Sequence, residues 1–341
     1  MLKFGIFDHL DDNGLPLGEF FEQRLNLIET IDQLGFAGYH LAEHHSTPLG
    51  HAASPSVFLA SAFARTKTLR MGPLVYVLPL HHPLRVYEEI CMLDHLSGGR
   101  LMMGIGRGGA LIEHQRYGVD PKDAPAMYHE AFAVMTVAFE NEIVNFEGKY
   151  YRYKDYLVQA KPVQKPHPPI WYGAPSPDAI PWAAPRNVNV VSLGPANRAK
   201  AIAARYRQEW ATLGRSPQTL PHIGITRHIV VADTDDKAKA IARAAYPRWA
   251  NAIAFLWHRS QIDFVLKDIY PSDWDALEEI GHGTAGSPET VRAYLDALAR
   301  DTGVNYVLCQ MIFGDISFDD ANNSIELFGR HVVPAFRDER V

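Results

Sequence analysis

Gly38-Tyr39-His40-Leu41-Ala42-Glu43-His44-His45 is the stretch whose reading decides the fold. A short apolar run stops abruptly at a carboxylate and two imidazoles. An α/β scaffold presents chemistry in this way, with polar groups at the end of a buried strand. The flanks fit that reading. Upstream, Lys3–Asp8 is a first apolar run that ends in Asp8 and His9. Phe20, Phe21, Leu27, Ile28, Ile31 and Leu34 then recur at helical spacing until Gly35 stops the helix. Downstream, Ser54-Pro55 predicts a cap and a first helical residue, opening a helix to about Arg65.

The alternation continues along the chain. Residues 69–78 read as a third strand, and Pro83 opens a helix that Gly98-Gly99 closes. Residues 101–105 are a fourth strand running into a glycine-rich loop. Further strands are predicted at 169–172, 188–192, 223–231 and 304–310. Helices are predicted from Ser176-Pro177, over 196–213 and 233–246, from Ser287-Pro288 to Arg300, and over 318–331. Eight strand and helix units without a composition break predict an α/β chain folded as a single (β/α)8 TIM barrel over residues 1–341, not a two-domain dinucleotide-binding enzyme. Two segments exceed a minimal barrel. Residues 141–165 contain a hairpin around Gly148. Residues 249–286 form a long aromatic segment expected to serve as a lid or pocket wall.

Bulk properties narrow the function. The 341 residues are 47% hydrophobic, enough for a full core, and the net charge of -6 gives no basic surface for nucleic acid. Cys91 and Cys309 form neither a disulfide framework nor a metal spacing, and they read as reduced thiols of a cytoplasmic protein. The first residues read as a strand rather than a signal peptide, and no apolar run reaches membrane-spanning length.

The strand ends of such a barrel converge on one mouth. They include Asp8-His9, Glu43-His44-His45, His81-His82, Gly106-Arg107-Gly108-Gly109, Gly173-Ala174-Pro175-Ser176 and Ser192-Leu193-Gly194. Glycines let the backbone approach a ligand, and Arg107 between them offers a fork for phosphate. A plain turn with a surface Arg is the blander reading. Ser176, as a helix cap, would point free N–H groups at the same mouth. Pro73, within the third strand, cannot donate to the ladder, so a bulge is expected beside it.

Glu43-His44-His45, Gly72 through Pro79, His82-Pro83, Leu93-Asp94, Ser97-Gly98-Gly99-Arg100-Leu101 and Gly104 through Gly108 follow in order. Together they resemble the bacterial luciferase-like flavin monooxygenase family. The resemblance implies a barrel that holds reduced FMN at the strand C-terminal mouth and oxygenates an organic substrate with O2; Trp249, Phe255, Trp257 and Phe264 would suit a small, apolar substrate or be ordinary core. It implies His44 as catalytic residue, and Glu43, Leu74, Val75, Gly106, Arg107, Gly108, Ala174, Ser176 and Ser192 as cofactor-binding residues, with Arg107 and Ser176 on the phosphate. It also implies a cis peptide between Leu74 and Val75, and a homodimer packed through Ser54–Arg65 and Pro83–Leu96. The luciferase catalytic subunit has Cys where this chain has Gly106, which argues against light emission. No dinucleotide fingerprint is present, so a separate flavin reductase is expected to supply reduced FMN.

Three other readings stay open from sequence. A deazaflavin-dependent dehydrogenase would use the same barrel and phosphate loop. A metal-dependent hydrolase is suggested by sixteen His, although His44-His45 and His81-His82 are adjacent and would point apart on a strand. A non-catalytic flavin-binding subunit would not need Glu43, His44 and Arg107.

Overall fold

Apolar runs bounded by helix signals become strands buried on both faces, the form a parallel sheet requires. The structure, a computed structural model, describes residues 1–337. Its strands are Lys3–Asp8 (β1), Gly38–Leu41 (β2), a third strand in two pieces, Met71–Pro73 and Tyr76–Val77 (together β3), Met103–Gly106 (β4), Ile170–Gly173 (β5), Asn189–Ser192 (β6), Ile223–Val231 (β7) and Tyr306–Gln310 (β8). All pair in parallel, and β1 lies between β2 and β8, with Gly5 opposite Gly38 and Lys3 opposite Tyr306. The (β/α)8 barrel expected from the sequence is therefore formed.

Closure depends on the third strand. Its first piece pairs with β2, Leu41 opposite Pro73, and its second pairs with β4, Tyr76 opposite Ile105. Between the pieces, the Leu74–Val75 peptide is cis, as the family resemblance implies. The first piece and the start of the fourth unit touch with no room for a side chain. A Cβ on Gly72 would lie 1.9 Å from the Met102 carbonyl oxygen, and one on Gly104 would lie 1.8 Å from that of Pro73.

The core has two parts. Phe7, Ala42, Leu74, Met102, Trp171, Val191, Tyr306 and Leu308 fill the barrel lumen. A larger cluster fills the layer between strands and outer helices.

The hairpin exists, with Ile143–Glu147 antiparallel to Arg152–Leu157. Its turn is held by Glu130, which accepts the N–H groups of Lys149, Tyr150 and Tyr151. Four expectations need correction. The helix expected to stop at Tyr246 runs from Asp235 to Arg259 with Pro247 inside it, so the long connection begins at 260 rather than 249. That connection ends in a short strand, Gly283–Gly286, which pairs with the overhang of β7. Helices Leu111–Arg116 and Ala124–Glu140 occupy a region to which the sequence reading assigns no element. The last α-helix ends at Leu327 and continues as a π turn, Phe328–Val332.

The close approach of β3 and β4 is testable. Gly104→Ala places a methyl group against backbone that cannot swing aside. It should cost about 3 kcal/mol or more, the upper end for overpacking. Gly109→Ala, where a Cβ meets nothing within 4 Å, should be nearly neutral. Urea unfolding of the two variants checks this; equal midpoints would refute it.

Candidate active site

The C-terminal ends of the strands open into a cavity of about 360 Å3. Eight of the ten residues singled out by sequence line it: Glu43, His44, Leu74, Val75, Gly106, Arg107, Gly108 and Ala174. Ser176 and Ser192 do not. Ser176 caps only a short 3-10 turn, Pro177–Ala179, and its hydroxyl is engaged with Asp178. Ser192 is fully buried and accepts the N–H of Gly194.

Glu43 follows directly on β2 and is 3% exposed. Its Oε1 accepts Nε2 of His45 and Nε2 of His81, each at 2.8 Å, and its Oε2 accepts the N–H of Val77 at 3.0 Å. Burial alone would raise its pKa, but the hydrogen bonds from His45 and His81 outweigh it and hold the carboxyl at about 2. Burial depresses the His81 imidazole, yet the bond to Glu43 carries it above the usual value. The carboxylate thus ties β2 to the second piece of β3, across the cis peptide. Its oxygens are occupied by protein donors, so Glu43 supports the cavity wall rather than reaching out from it.

His44 and His45 diverge, as neighbours on extended backbone do. His45 turns to Glu43, and its Nδ1 faces the Tyr117 hydroxyl at 2.8 Å. His44 turns to the cavity. Its Nδ1 lies 3.1 Å from Oε1 of Glu113, which also accepts the His45 backbone N–H at 2.8 Å. Glu113 is 2% exposed. A carboxylate at Nδ1 favours the tautomer with its proton there, leaving Nε2 free on the other edge of the ring. His9 stacks on His44 with centroids 5.7 Å apart and planes 22° apart, and Trp249 meets His9 edge-on. Burial first, and then the neighbouring imidazole of His44, push His9 well below its usual pKa, so its ring is neutral.

Glu113 and His9 are the residues that sequence reasoning undervalued. Glu113 sits on the short helix Leu111–Arg116, 69 positions from His44, and has no local motif to mark it. His9 was visible as a strand end, and its stacking on His44 is a tertiary fact.

The side formed by the glycine-rich loop is open. Gly106 has room for no side chain, because a Cβ there would lie 2.5 Å from Cγ2 of Val75. Gly108 has φ of +84°, a left-handed conformation suited to glycine, and the preceding carbonyl, of Arg107, lies 2.8 Å from Nε2 of His114. Arg107 is exposed at the rim and has no ion-pair partner among the described residues. Gly109 and Gly173, also on the lining, face open space where a Cβ would meet nothing. A planar ring with a phosphate tail fits this arrangement: an apolar slot bounded by Leu74, Val75 and Ala174, with a glycine cradle and a free guanidinium beyond it.

The opposite wall comes from the second half of the chain. Ile253, Leu256 and Trp257 of the helix Asp235–Arg259, and Val265, Leu266, Ile269 and Tyr270 of the connection after it, close over the cavity. This matches the pocket wall expected of the segment. Of the aromatics in it, Trp257 lines the cavity, Phe264 packs on Trp257 with centroids 5.2 Å apart, and Trp249 supports His9.

Comparison with known proteins agrees with this geometry. Residues 2–306 match the family model described as luciferase-like monooxygenase. The chain is 39% identical to the uncharacterised protein y4wF of Sinorhizobium fredii, over 93% of this chain and 92% of that one. It is 29% identical to limonene 1,2-monooxygenase of Rhodococcus erythropolis, over 93% and 82%. It is 24% identical to the oxygenase component of the flavin-dependent trigonelline monooxygenase of Acinetobacter baylyi, over 100% and 97%. The solved structure of the monooxygenase RslO1 from Streptomyces bottropensis superposes with a TM-score of 0.88 at 24% identity, covering 98% of this chain and 100% of the other. With its strand-end motifs gathered at one mouth, and with this match along nearly all of its length, the chain belongs to the luciferase-like monooxygenase family.

Proposed function

We propose that the protein, acting as one barrel domain, is the oxygenase of a two-component system: it takes reduced FMN from a separate flavin reductase and inserts an oxygen atom from O2 into a small, apolar organic substrate. One observation carries the reading. His44, held from behind by Glu113, faces a largely apolar cavity that is also lined by the hydrogen-bonded Glu43 and carries Arg107 and Arg198. An acid–base group set in a dry slot beside a phosphate-sized cationic loop is what flavin oxygenation asks of a protein.

Leu74, Val75 and Ala174 would hold the ring, and Gly106, Arg107 and Gly108 the phosphate. Ser176 and Ser192 would act through the backbone that they position. Reduced FMN, when bound, supplies the electrons with which O2 is activated. The protein does the rest. Glu113 holds the His44 tautomer, so that Nε2 can accept or return a proton at the reacting oxygen. Neutral His9 fixes the His44 plane. Leu256, Trp257, Leu266 and Ile269 exclude water and give the substrate an apolar surface. A deazaflavin would fit the same loop, and the absorbance spectrum of the bound cofactor separates the two. Nothing in this reading requires light emission.

The helices Pro55–Arg65 and Pro83–Leu96 leave Val57, Met92 and Leu96 exposed at 70%, 61% and 65%. The first of these helices and its start also carry small residues that are not buried, namely Ala53, Ala60, Ser61 and Ala64. This face is proposed as the homodimer contact of a cytoplasmic enzyme.

Four outcomes test these assignments. His44→Ala should leave FMN affinity nearly intact and lower turnover on the order of a hundredfold, the usual scale for an acid–base group. Glu113→Gln should fall between wild type and His44→Ala, and the double variant should be no worse than His44→Ala. Stopped-flow turnover measures all three, and additive losses would uncouple the pair. Arg107→Ala should weaken FMN by about 2 kcal/mol, the size of a charge-assisted contact, and leave riboflavin binding unchanged; fluorescence titration with both flavins decides it, and equal weakening would remove the phosphate assignment. Light scattering should return a dimer mass for the wild type and a monomer mass for Met92→Asp.

A further inference from the structure

The N-terminal end of the barrel, opposite the site described above, holds two adjoining cavities that meet at His222. The first, about 570 Å3, opens over Trp171 and Tyr306 of the lumen and carries Arg70, Lys165 and Arg186 on its walls. The second, about 640 Å3, carries Lys3, Arg207 and Arg215. Among the described residues, no Asp or Glu lines either cavity. That is unexpected in a chain with net charge -6. Several arginines elsewhere are matched by acids, as Arg65 is by Glu22 and Glu29, Arg243 by Asp275, and Arg248 by Asp12.

Here the guanidinium groups are held by neutral acceptors. Arg215 donates to the carbonyls of Ala184 and Pro185 at 2.9 and 2.8 Å. Arg186 donates to the Trp182 carbonyl at 3.0 Å, Arg207 to those of Ala203 and Gly303, and Arg70 to the side-chain oxygen of Gln164. A carbonyl fixes the position of a cation without cancelling its charge. Arg70 also feels the buried Asp94, which accepts the Gln164 N–H at 2.8 Å and Nε2 at 2.7 Å and keeps its charge, so part of the Arg70 field is offset. His222, at the junction, is driven down to about 4 by burial and then by Lys3, so it enters the site as a neutral donor and acceptor. Cations gathered on concave walls with no acid among them focus a positive potential into the space between them.

We propose that these two cavities form a second binding site, for a small polyanion that carries at least two phosphate or carboxylate groups. Two cationic clusters, one in each cavity, ask for at least two anionic groups. Their recessed position favours a small molecule over the flat, extended surface of a nucleic acid. The proposal is independent of the flavin assignment, because none of these residues lines the active-site cavity.

Isothermal titration of the full-length chain with tripolyphosphate and with citrate tests it. The Arg107→Ala background removes binding at the flavin phosphate loop. Saturable binding is expected that weakens with added sodium chloride. Lys165→Glu and Arg186→Glu, both at exposed positions, should each weaken it by about tenfold or more, one charge-assisted contact or better. His222→Phe should shift affinity without altering the oligomeric state. Preference for one probe identifies the anionic group, phosphate or carboxylate. Absence of saturable binding of both probes at millimolar concentration, binding indifferent to both charge reversals, or tighter binding of a single-stranded oligonucleotide than of either probe would overturn the proposal.

Discussion

The active-site end of this barrel depends on one buried carboxylate. Glu43 leaves water only because its oxygens meet the imidazoles of His45 and His81 and the Val77 N–H. An uncompensated carboxylate at that depth would cost several kcal/mol, so each donor is held as firmly as the acid itself. Through Val77 the bond fixes the second piece of β3. Through His45 it fixes the backbone that turns His44 toward Glu113. The step at Leu74–Val75 and the candidate catalytic imidazole are therefore positioned by the same side chain.

The two halves of the chain divide the work. The first half supplies the polar groups, Glu43, His44, Arg107 and Glu113. The second supplies mainly the apolar cover from Ile253 to Tyr270. A dry slot needs both, because a proton-transfer group exposed to bulk water loses the low-dielectric advantage that makes its position matter. Diversity of substrate within such an arrangement falls naturally on the cover, where shape can change without disturbing the Glu43 network.

Much of this was legible in the sequence because it is local. Strand runs, proline-opened helices and glycine-rich strand ends announce themselves within a few residues, and the family motifs cover the first third of the chain. What escaped is tertiary. Pro247 reads as a helix stop, yet the packing of Trp249, Ile253 and Leu256 carries the helix through a residue that costs about 3 kcal/mol. Gly283–Gly286 has no apolar run to mark it as a strand, and pairs only because β7 overhangs its other neighbours. The helix Ala124–Glu140 lacks a sharp polar face. Glu113 becomes meaningful only when folding brings it to His44. Ser176 and Ser192 have residue types and strand-end positions that suit a phosphate site, and local folding adds what their types do not show: their hydroxyls bond to Asp178 and Gly194.

Gly106 and Val75 occupy one volume between them. A side chain at position 106 presupposes a smaller residue at position 75, so Gly106 cannot be exchanged alone without passing through a crowded intermediate. In evolutionary terms the two sites are epistatic. A lineage that places a side chain at position 106 has to reach it by a route that first opens position 75, and this part of the cavity wall is inherited as a pair of residues rather than as two independent ones.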